Sequence, residues 1–267
     1  MQVGGSGIEP TFFSRRECKY LVSAALLPEM RAFLRPFTRP DEWAARCDGF
    51  RYPVCSLYLD SDDLSLYHQV VRGDKNRFKL RVRTYSDDPE TPVYFEVKNK
   101  LDAIVHKRRA ALSRSRAKDL LVQGWAPFLS SLGGPDRRDL DHFLQHTLLV
   151  GARPVLRVKY LREAYQGIGQ EPTRLTIDTD LMHAVTLGPD FRHDTGRWVH
   201  TPVEEPIIEI KFTEGFPWWI QEFVRTFGLN QRAVPKYILS VDHMLRGGRE
   251  SVLSIGGALL PPRRVGP

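Results

Sequence analysis

The sequence lacks the features that mark several large classes of protein. No apolar run among its 267 residues approaches the roughly 20 residues that a membrane-spanning helix requires, so no helical membrane span is expected. The first residues lack a basic segment followed by an apolar stretch, so no secretory signal is predicted and we expect a cytoplasmic protein. Cysteine is scarce: Cys18, Cys47 and Cys55 form no C-x-x-C pair, and their odd number argues against a secreted disulfide framework.

Common catalytic and metal-binding motifs are also missing. The sequence contains neither a G-x-S-x-G nucleophile motif nor a P-loop. His142 and His146 stand four residues apart on a predicted helix, but no glutamate or third ligand accompanies them, so a zinc site is not expected. The composition, with 42% hydrophobic and 27% charged residues, is that of a globular protein with a substantial core.

The order of the predicted elements favours a largely antiparallel α+β fold. Alternation of apolar and polar residues predicts strands at 12–22, 56–60, 77–85, 93–100, 103–112, 153–165, 174–180 and 207–212. Helical spacing predicts helices at 26–37, 63–71, 117–123, 138–150, 217–227 and 236–245. We expect one domain over residues 12–248, a disordered N-terminus at 1–11 and a loosely ordered tail at 249–267.

Basic residues occupy one face of the strand predicted at 77–85. Side chains in a strand alternate between two faces, so Arg77, Lys79, Arg81 and Arg83 lie together, opposite apolar residues. The same alternation groups bases on other predicted strands: Lys98 with Lys100, Lys107 with Arg109, and Arg157 with Lys159, while Arg174 and Lys211 share faces with acids. An ordinary sheet with one face in water is the alternative explanation for any single strand.

Most of the net charge of +7 lies in residues 72–109, where eleven bases face six acids. Because like charges opposite each other across strands are destabilising, a stack of basic stripes indicates a bound polyanion. Arginine and lysine together suit a phosphate chain. A nucleic acid is the rival polyanion, but Phe78 and Phe95 lie on the apolar face, where they cannot stack on bases, so no nucleic-acid partner is expected.

A family resemblance covers about residues 12–245 and rests on segments that follow in this order: FFSRRECKYLV, SLYLDS, FKLRVRTY, YFEVKNK with HKRR, RPVLRVKYLREAY, RLTIDTDL, IIEIKF and VPKYILSVD. Together they resemble the VTC (vacuolar transporter chaperone) polyphosphate polymerase domain, a member of the CYTH-like triphosphate tunnel metalloenzymes. The resemblance implies an antiparallel β-barrel that forms a triphosphate tunnel, with helices packed on the outside. It also implies a stand-alone, bacterial-type member, since the additional domains of eukaryotic members would not fit in this length.

The resemblance also assigns site residues. It implies catalytic roles for Lys19, Arg81, Arg83, Lys98, Arg157 and Lys236, and phosphate binding by Lys79, Lys100, Lys107, Arg109, Lys159, Arg174 and Lys211. It places the metal-binding glutamate at Glu209, with Mn²⁺ or Mg²⁺ as the expected cofactor. A lone acid beside a lysine is otherwise most often an ion pair. Glu17 and Glu96 are candidate second ligands, or they neutralise neighbouring bases.

The expected activity is that of an ATP-polyphosphate phosphotransferase, which transfers the γ-phosphate of ATP to a growing polyphosphate chain. Arg15 stands where related triphosphatases and cyclases carry the first glutamate of E-x-E-x-K, which favours the polymerase branch. Two alternatives stay open: a tunnel-type tripolyphosphatase or nucleoside triphosphatase, and a non-catalytic polyphosphate-binding module. The expected ligands are ATP and polyphosphate or pyrophosphate, and a membrane-protein partner would be needed for any transport role.

Overall fold

An antiparallel sheet forms most of the structure. The computed structural model describes residues 16–102, 104–123, 134–169, 172–213 and 215–251, which include ten strands. They are β1 (Arg16–Leu21), β2 (Thr38–Pro40), β3 (Arg51–Asp60), β4 (Arg77–Thr84), β5 (Val93–Leu101), β6 (Ile104–Leu112), β7 (Arg153–Gly167), β8 (Arg174–Val185), β9 (Val199–His200) and β10 (Ile207–Phe212). Eight of them pair in the order β1-β10-β8-β7-β3-β4-β5-β6, with β2 added to β7 and β9 added to β8.

The same ranges contain six α-helices: α1 (Leu27–Leu34), α2 (Ser65–Val71), α3 (Arg114–Gln123), α4 (Gly134–Leu149), α5 (Trp218–Thr226) and α6 (Lys236–Ser251). The predicted α+β class is confirmed, since each predicted strand and helix has its counterpart. The short strands β2 and β9 were not predicted. The predicted disordered N-terminus, the start of the first predicted strand and residues 252–267 of the predicted tail lie outside the described residues, whereas residues 249–251 of that tail belong to α6.

The sheet curls until its two edges approach each other. β1 and β6 are the two ends of the strand order, yet Lys98 on β5 reaches Glu17 on β1, with 3.4 Å between Nζ and Oε2. A flat sheet of this width would hold these side chains far apart, because neighbouring strands are about 4.8 Å apart. The curl therefore creates an inner face that is partly enclosed and an outer face that the helices can cover.

Helices cover the outer, apolar face in two places. α3 and α4 pack on β4, β5 and β6, where the rings of Phe95 and Phe143 lie 5.2 Å apart beside Val82. α1 and α5 pack on β1, β8 and β10 through Met30 and Phe223. All five side chains are fully buried, and burial of each contributes about 1.5–3 kcal/mol to stability.

Helix α6 packs at one end of the inner face. Tyr237 stacks on Tyr58 of β3, with 4.7 Å between ring centroids, and donates a 2.6 Å hydrogen bond to Asp60, the last residue of that strand. Because the strands are antiparallel, the end of β3 lies beside the start of β4 and of β7. The opposite end of the curled sheet is where β4 ends and β3 begins.

A bulge in β8 adjusts which of its side chains face inward. Asp180 has a positive φ of 54°, and the pairing with β7 shifts between Lys159 and Leu161. One extra residue is thereby inserted into β8, so that Asp178 and Leu181 both point to the inner face although they are three residues apart.

Candidate functional site

The inner face of the curled sheet carries a dense group of charged side chains, here called the inner charged cluster. Its bases are Lys19 on β1, Lys79, Arg81 and Arg83 on β4, Lys98 on β5, Lys107 and Arg109 on β6, Arg162 on β7, Lys211 on β10, and Lys236 at the start of α6. Its acids are Glu17, Glu96, Asp178 and Glu209. Ten bases against four acids give the cluster a formal excess of six positive charges, so this face attracts polyanions.

Glu96 gathers three of these bases. It stands between Arg81 and Arg109 in the pairing of β4, β5 and β6. Its carboxylate oxygens lie 2.6 Å from Arg81, 2.8 Å from Arg109 and 2.7 Å from Lys107, and its side chain is 1% exposed. Burial alone would raise the pKa of Glu96, but the surrounding bases, including Arg83, hold it well below its usual value. Glu96 is therefore an anchor that fixes three basic side chains in place.

A row of three lysines crosses the sheet beside this anchor. Lys79, Lys98 and Lys107 are direct cross-strand neighbours on β4, β5 and β6. Burial together with the neighbouring bases lowers the pKa of Lys79 to about 8 and that of Lys107 to about 7, and burial also lowers the pKa of Lys98. Aligned like charges are destabilising. Lys107 is paired with Glu96 and Lys98 with Glu17, whereas Lys79 has no carboxylate partner within the described residues, so the row lacks negative charge at its β4 end.

Arg83 has no carboxylate partner within the described residues. Its Nε donates to the Ser56 hydroxyl at 3.0 Å and its Nη2 donates to the Tyr160 hydroxyl at 3.3 Å. Tyr58, two residues along β3 from Ser56, lies against the bases of β4. Burial would raise the pKa of Tyr58, but Arg81, Arg83 and Lys79 lower it to about 8. Hydroxyl groups and unpaired cations thus line the centre of the inner face.

Glu17 and Glu209 form a pair of carboxylates held by shared lysines. Lys19 lies 2.9 Å from Glu17 and 3.8 Å from Glu209, and Lys211 lies 2.7 Å from Glu209 and 3.7 Å from Glu17. Burial and the Glu209 charge raise the pKa of Glu17, but Lys19, Lys98 and Lys211 outweigh them and bring it to about 2. Burial opposes ionisation of Glu209 as well, yet Lys211 and Lys19 keep its pKa well below the usual value.

This carboxylate pair is the part of the cluster that fits a divalent cation. Mg²⁺ and Mn²⁺ bind one or two protein carboxylates and complete their shell with water and phosphate oxygens. The Thr176 hydroxyl, on the β8 residue paired with Glu209, is buried without a hydrogen-bond partner in the described structure, which leaves a polar group for a ligand. No group of three or more metal-ligating side chains occurs among the described residues. The donors therefore fit a metal that substrate oxygens help to hold.

Asp178 is a second buried anchor, and it reveals a base that the sequence reasoning missed. Arg162 donates to both Asp178 oxygens, at 2.7 and 2.8 Å, and Lys236 lies 2.8 Å from the same carboxylate. Burial opposes the charge on Asp178, but Arg162 and Lys236 lower its pKa. Arg162 and Tyr160 face inward because even-numbered residues of β7 point to the inner face at this level, as Val158 does.

Arg157 and Lys159 lie on the opposite, outer face of β7, so the structure does not bring them into the inner charged cluster. Arg157 is 2% exposed, and its Nη1 lies 3.0 Å from the Asp190 carboxylate and donates to the Thr195 hydroxyl at 3.0 Å. Lys159 stacks on Trp198, with 4.3 Å between Nζ and the ring centroid. These two bases fasten residues 190–198 to the outside of the sheet, which corrects their sequence-based placement.

The remaining predicted bases lie at the edges of the cluster. Lys100 continues the inner stripe of β5, where it pairs with Arg77 and Val105. Arg174 starts β8 at the end of the sheet remote from α6, and its Nη2 donates to the Asp41 carboxylate at 2.8 Å. The structure thus brings together most of the predicted site residues, with Arg174 at one rim and Lys100 at the far end of β5.

A family model described as the VTC domain matches residues 14–245. Among curated proteins, subunit 4 of the vacuolar transporter chaperone complex from Trypanosoma cruzi (strain CL Brener) is 25% identical over 84% of this chain. Subunit 4 of the same complex from Trypanosoma brucei brucei is also 25% identical over 84% of the chain. The chain spans 31% of the length of each of these relatives.

Solved structures with a similar course of the chain include a putative adenylyl cyclase from Hippeastrum, described as having a dominant triphosphatase activity. It is 12% identical, with a TM-score of 0.48, over 85% of this chain and 94% of that chain. Another is PH1819 from Pyrococcus horikoshii OT3, which is 12% identical, with a TM-score of 0.42, over 85% of this chain and 99% of that chain.

Proposed function

Because the chain belongs to the VTC domain family, we propose that it is a polyphosphate polymerase that transfers the γ-phosphate of ATP to a growing polyphosphate chain. The observation that carries the proposal is the excess of positive charge on the inner face. Lys79 and Arg83 in particular have no carboxylate partner within the described residues, although carboxylates anchor the bases around them. A chain of phosphates supplies the missing negative charge at regular intervals.

We assign the inner charged cluster to the reaction as follows. Catalytic positions are Lys19, Arg81, Arg83, Lys98 and Lys236, and phosphate-binding positions are Lys79, Lys107, Arg109 and Lys211, with Lys100 and Arg174 at the ends. Because Arg162 faces inward, we assign to it the catalytic position that the family resemblance implied for Arg157. As an arginine it offers a planar fork of donors beside the lysines.

Phosphoryl transfer requires positioning and charge neutralisation more than covalent chemistry by the protein. A terminal oxygen of the polyphosphate chain forms a bond to the γ-phosphorus of ATP while the bond from that phosphorus to the β–γ bridging oxygen breaks, and ADP leaves. The fixed bases hold both reactants in line and neutralise charge on the bridging oxygen. A divalent cation, Mn²⁺ or Mg²⁺, would be held by Glu209 with Glu17 and would supply further neutralisation of phosphate oxygens.

The partners that follow from this proposal are ATP and polyphosphate or pyrophosphate. The curated relatives are named as subunits of a complex, so we propose that this chain also works with a partner subunit, which would be a membrane protein if the product is transported. No helix among the described residues is both long enough and apolar enough to cross a membrane. A cytoplasmic location is part of the same proposal.

The experiment that tests the function is a product assay with purified protein, ATP and Mn²⁺ or Mg²⁺. We expect phosphate chains that an exopolyphosphatase digests, together with ADP. Consumption of ATP with only orthophosphate released would replace the proposal by a tunnel-type tripolyphosphatase or nucleoside triphosphatase. Tight, salt-sensitive binding of polyphosphate without turnover would instead indicate a binding module.

A further inference from the structure

A cavity of about 260 Å³ opens at the end of the curled sheet remote from α6. It is lined by Asp41, Glu42, Trp43, Tyr52, Tyr85, Tyr94, Arg109, Gln166 and Arg174. These residues come from the starts of β3, β5 and β8, the end of β7, β6 through Arg109, the residue that follows β4, and the loop between β2 and β3. The cavity is smaller than the roughly 300–1,000 Å³ that encloses a whole drug-sized ligand, so it suits one part of a larger molecule.

Aromatic rings form most of one wall. Trp43 lies 6.4 Å from Tyr52 and 5.9 Å from Tyr85, and Tyr85 lies 5.6 Å from Tyr94, all measured between ring centroids. The rings meet at angles of 51–77°, so none of these three pairs stacks face to face, although the Arg109 guanidinium covers one face of Tyr94. Trp43 stands at the rim and is 37% exposed. Such faces offer a stacking surface to a planar ligand.

Arg109 connects this cavity to the inner charged cluster. Its Nε donates to Glu96 at 2.8 Å, inside the cluster, and its Nη2 donates to the Tyr85 hydroxyl at 2.6 Å, in the cavity wall. Its guanidinium lies over the Tyr94 ring, 3.9 Å from the centroid. One side chain therefore borders both regions, so a single ligand can extend from the aromatic wall into the bases.

The cavity lining, unlike the cluster, has no excess of positive charge. Its two arginines are matched by the carboxylates of Asp41 and Glu42, and Arg174 is already hydrogen-bonded to Asp41 at 2.8 Å. A phosphate chain leaving the cluster at this end would meet both carboxylates, which repel it. An uncharged aromatic ring meets no such penalty and gains stacking and burial.

We propose that this cavity is the base subsite of the nucleotide donor, and that it takes the purine ring of a nucleoside triphosphate whose phosphates lie in the inner charged cluster. The proposal rests on the proposed function insofar as that function uses ATP. It fixes the direction of the nucleotide in the tunnel: the base lies at the end remote from α6, and the γ-phosphate points toward α6. The polyphosphate acceptor must then approach from the other side.

The test compares two ligands on Trp43→Ala and on a matched control. The β,γ-imido analogue of ATP carries a base and a triphosphate, whereas inorganic tripolyphosphate carries only the phosphates. Binding of both is measured by calorimetry in metal-free buffer with a chelator, so that neither is turned over. The control is Trp218→Ala, which removes a tryptophan that is 67% exposed on α5, on the outside of the sheet.

We expect Trp43→Ala to weaken binding of the ATP analogue about 5- to 150-fold, the range for loss of one base–aromatic stack. Binding of tripolyphosphate should stay within about twofold, and Trp218→Ala should change neither affinity. Trp43→Phe should restore most of the loss, since it returns a ring to the wall. Equal weakening of both ligands, or no effect on the analogue, would overturn the base subsite.

The test also separates this inference from the proposed function. If Trp43→Ala weakens only the ATP analogue but the wild-type protein makes no polyphosphate, the base subsite stands and the polymerase proposal fails. If the wild-type protein makes polyphosphate and Trp43→Ala binds both ligands normally, the polymerase stands and the base subsite fails. Wild-type binding of tripolyphosphate with no binding of the analogue would overturn the subsite as well.

Discussion

Polyanion binding should be accompanied by proton uptake at three named groups of the inner charged cluster. The pKa of Lys79 lies at about 8, that of Lys107 at about 7 and that of Tyr58 at about 8. A bound phosphate chain favours the protonated form of each group and so raises all three pKa values. At pH 8 about half of Lys79, half of Tyr58 and nine-tenths of Lys107 are deprotonated beforehand, which makes about two protons available for uptake.

The uptake should decline as the pH falls, because the groups are then already protonated. At pH 6 only about a tenth of Lys107 remains deprotonated, and the other two groups contribute almost nothing. The affinity for tripolyphosphate should therefore fall as the pH rises from 6 to 9. For each proton that is taken up on binding, the affinity falls about tenfold per pH unit.

Lys107→Arg isolates the contribution of one group. Arginine stays charged throughout this range, so the variant should take up about 0.9 proton fewer than wild type at pH 8 and about 0.1 fewer at pH 6. Calorimetric titration with tripolyphosphate in buffers of different ionisation enthalpy gives the proton number. Protons carried by the ligand are common to both proteins and cancel in the difference.

The matched control is Lys118→Arg, a lysine-to-arginine exchange at an exposed position of α3. It should leave the proton number unchanged. A Lys107→Arg variant that takes up as many protons as wild type at pH 8 would refute the reasoning, because Lys107 would then be charged without the ligand. A variant that takes up more would contradict the sign of the electrostatic argument.

Three further predictions address the metal site, the two faces of the sheet, and the packing of residues 190–198 on the outside of the sheet. Glu209→Gln should abolish metal-dependent turnover of ATP while tripolyphosphate binding without metal is retained or strengthened; persistent activity would remove Glu209 from the metal site. Arg83→Met should weaken tripolyphosphate binding about tenfold or more by loss of a charged hydrogen bond. Arg157→Met should leave that binding unchanged, but it should lower the free energy of unfolding, measured by urea titration, by about 1–3 kcal/mol, because its hydrogen-bond partners are left unpaired. Gly196→Ala should also destabilise the fold by about 1–3 kcal/mol. Gly196 has a φ of 93°, and a Cβ at this position would collide with the Arg157 guanidinium. An unchanged midpoint of urea unfolding would contradict this close packing.

The alternation of side chains between the two faces of a strand was sufficient to predict the basic stripes of the inner face. In β4, bases alternate with apolar residues throughout, so the residues that must be buried against α3 and α4 fix the direction of the others. The same argument worked for Lys98 on β5 and for Glu209 and Lys211 on β10. In these strands only one face is apolar, and that asymmetry can be read without knowing the neighbouring strands.

This alternation was not sufficient for β7, because β7 carries polar residues on both faces. Arg157 and Lys159 belong to one face and Arg162 to the other, and only the pairing with β3 decides which face is inner. Cys55, the partner of Lys159, points outward, so Lys159 does too. The available signal was Asp178: a buried carboxylate needs a partner, and Arg162 is directly opposite it in the β7–β8 register.

The aromatic cavity could not be predicted for a different reason. Trp43 and the two carboxylates at positions 41 and 42 lie in the loop between β2 and β3, where no periodic pattern exists to place them. Tyr85 and Tyr94 flank a turn on either side of the β4–β5 hairpin, and their proximity follows only from the hairpin register. Loop residues that complete a site are positioned by long-range packing, which a local sequence pattern does not record.

The arrangement of the four acids shows how the protein keeps so many bases together without a ligand. Glu96 and Asp178 are buried anchors for five bases between them, and Glu17 with Glu209 holds the lysines of β1 and β10. Lys79 and Arg83, on β4, stand between these anchors without a carboxylate partner among the described residues, beside the hydroxyls of Ser56 and Tyr58 on β3. If the protein binds a phosphate chain as proposed, the chain must follow β4, because that is where charge is concentrated and left unneutralised.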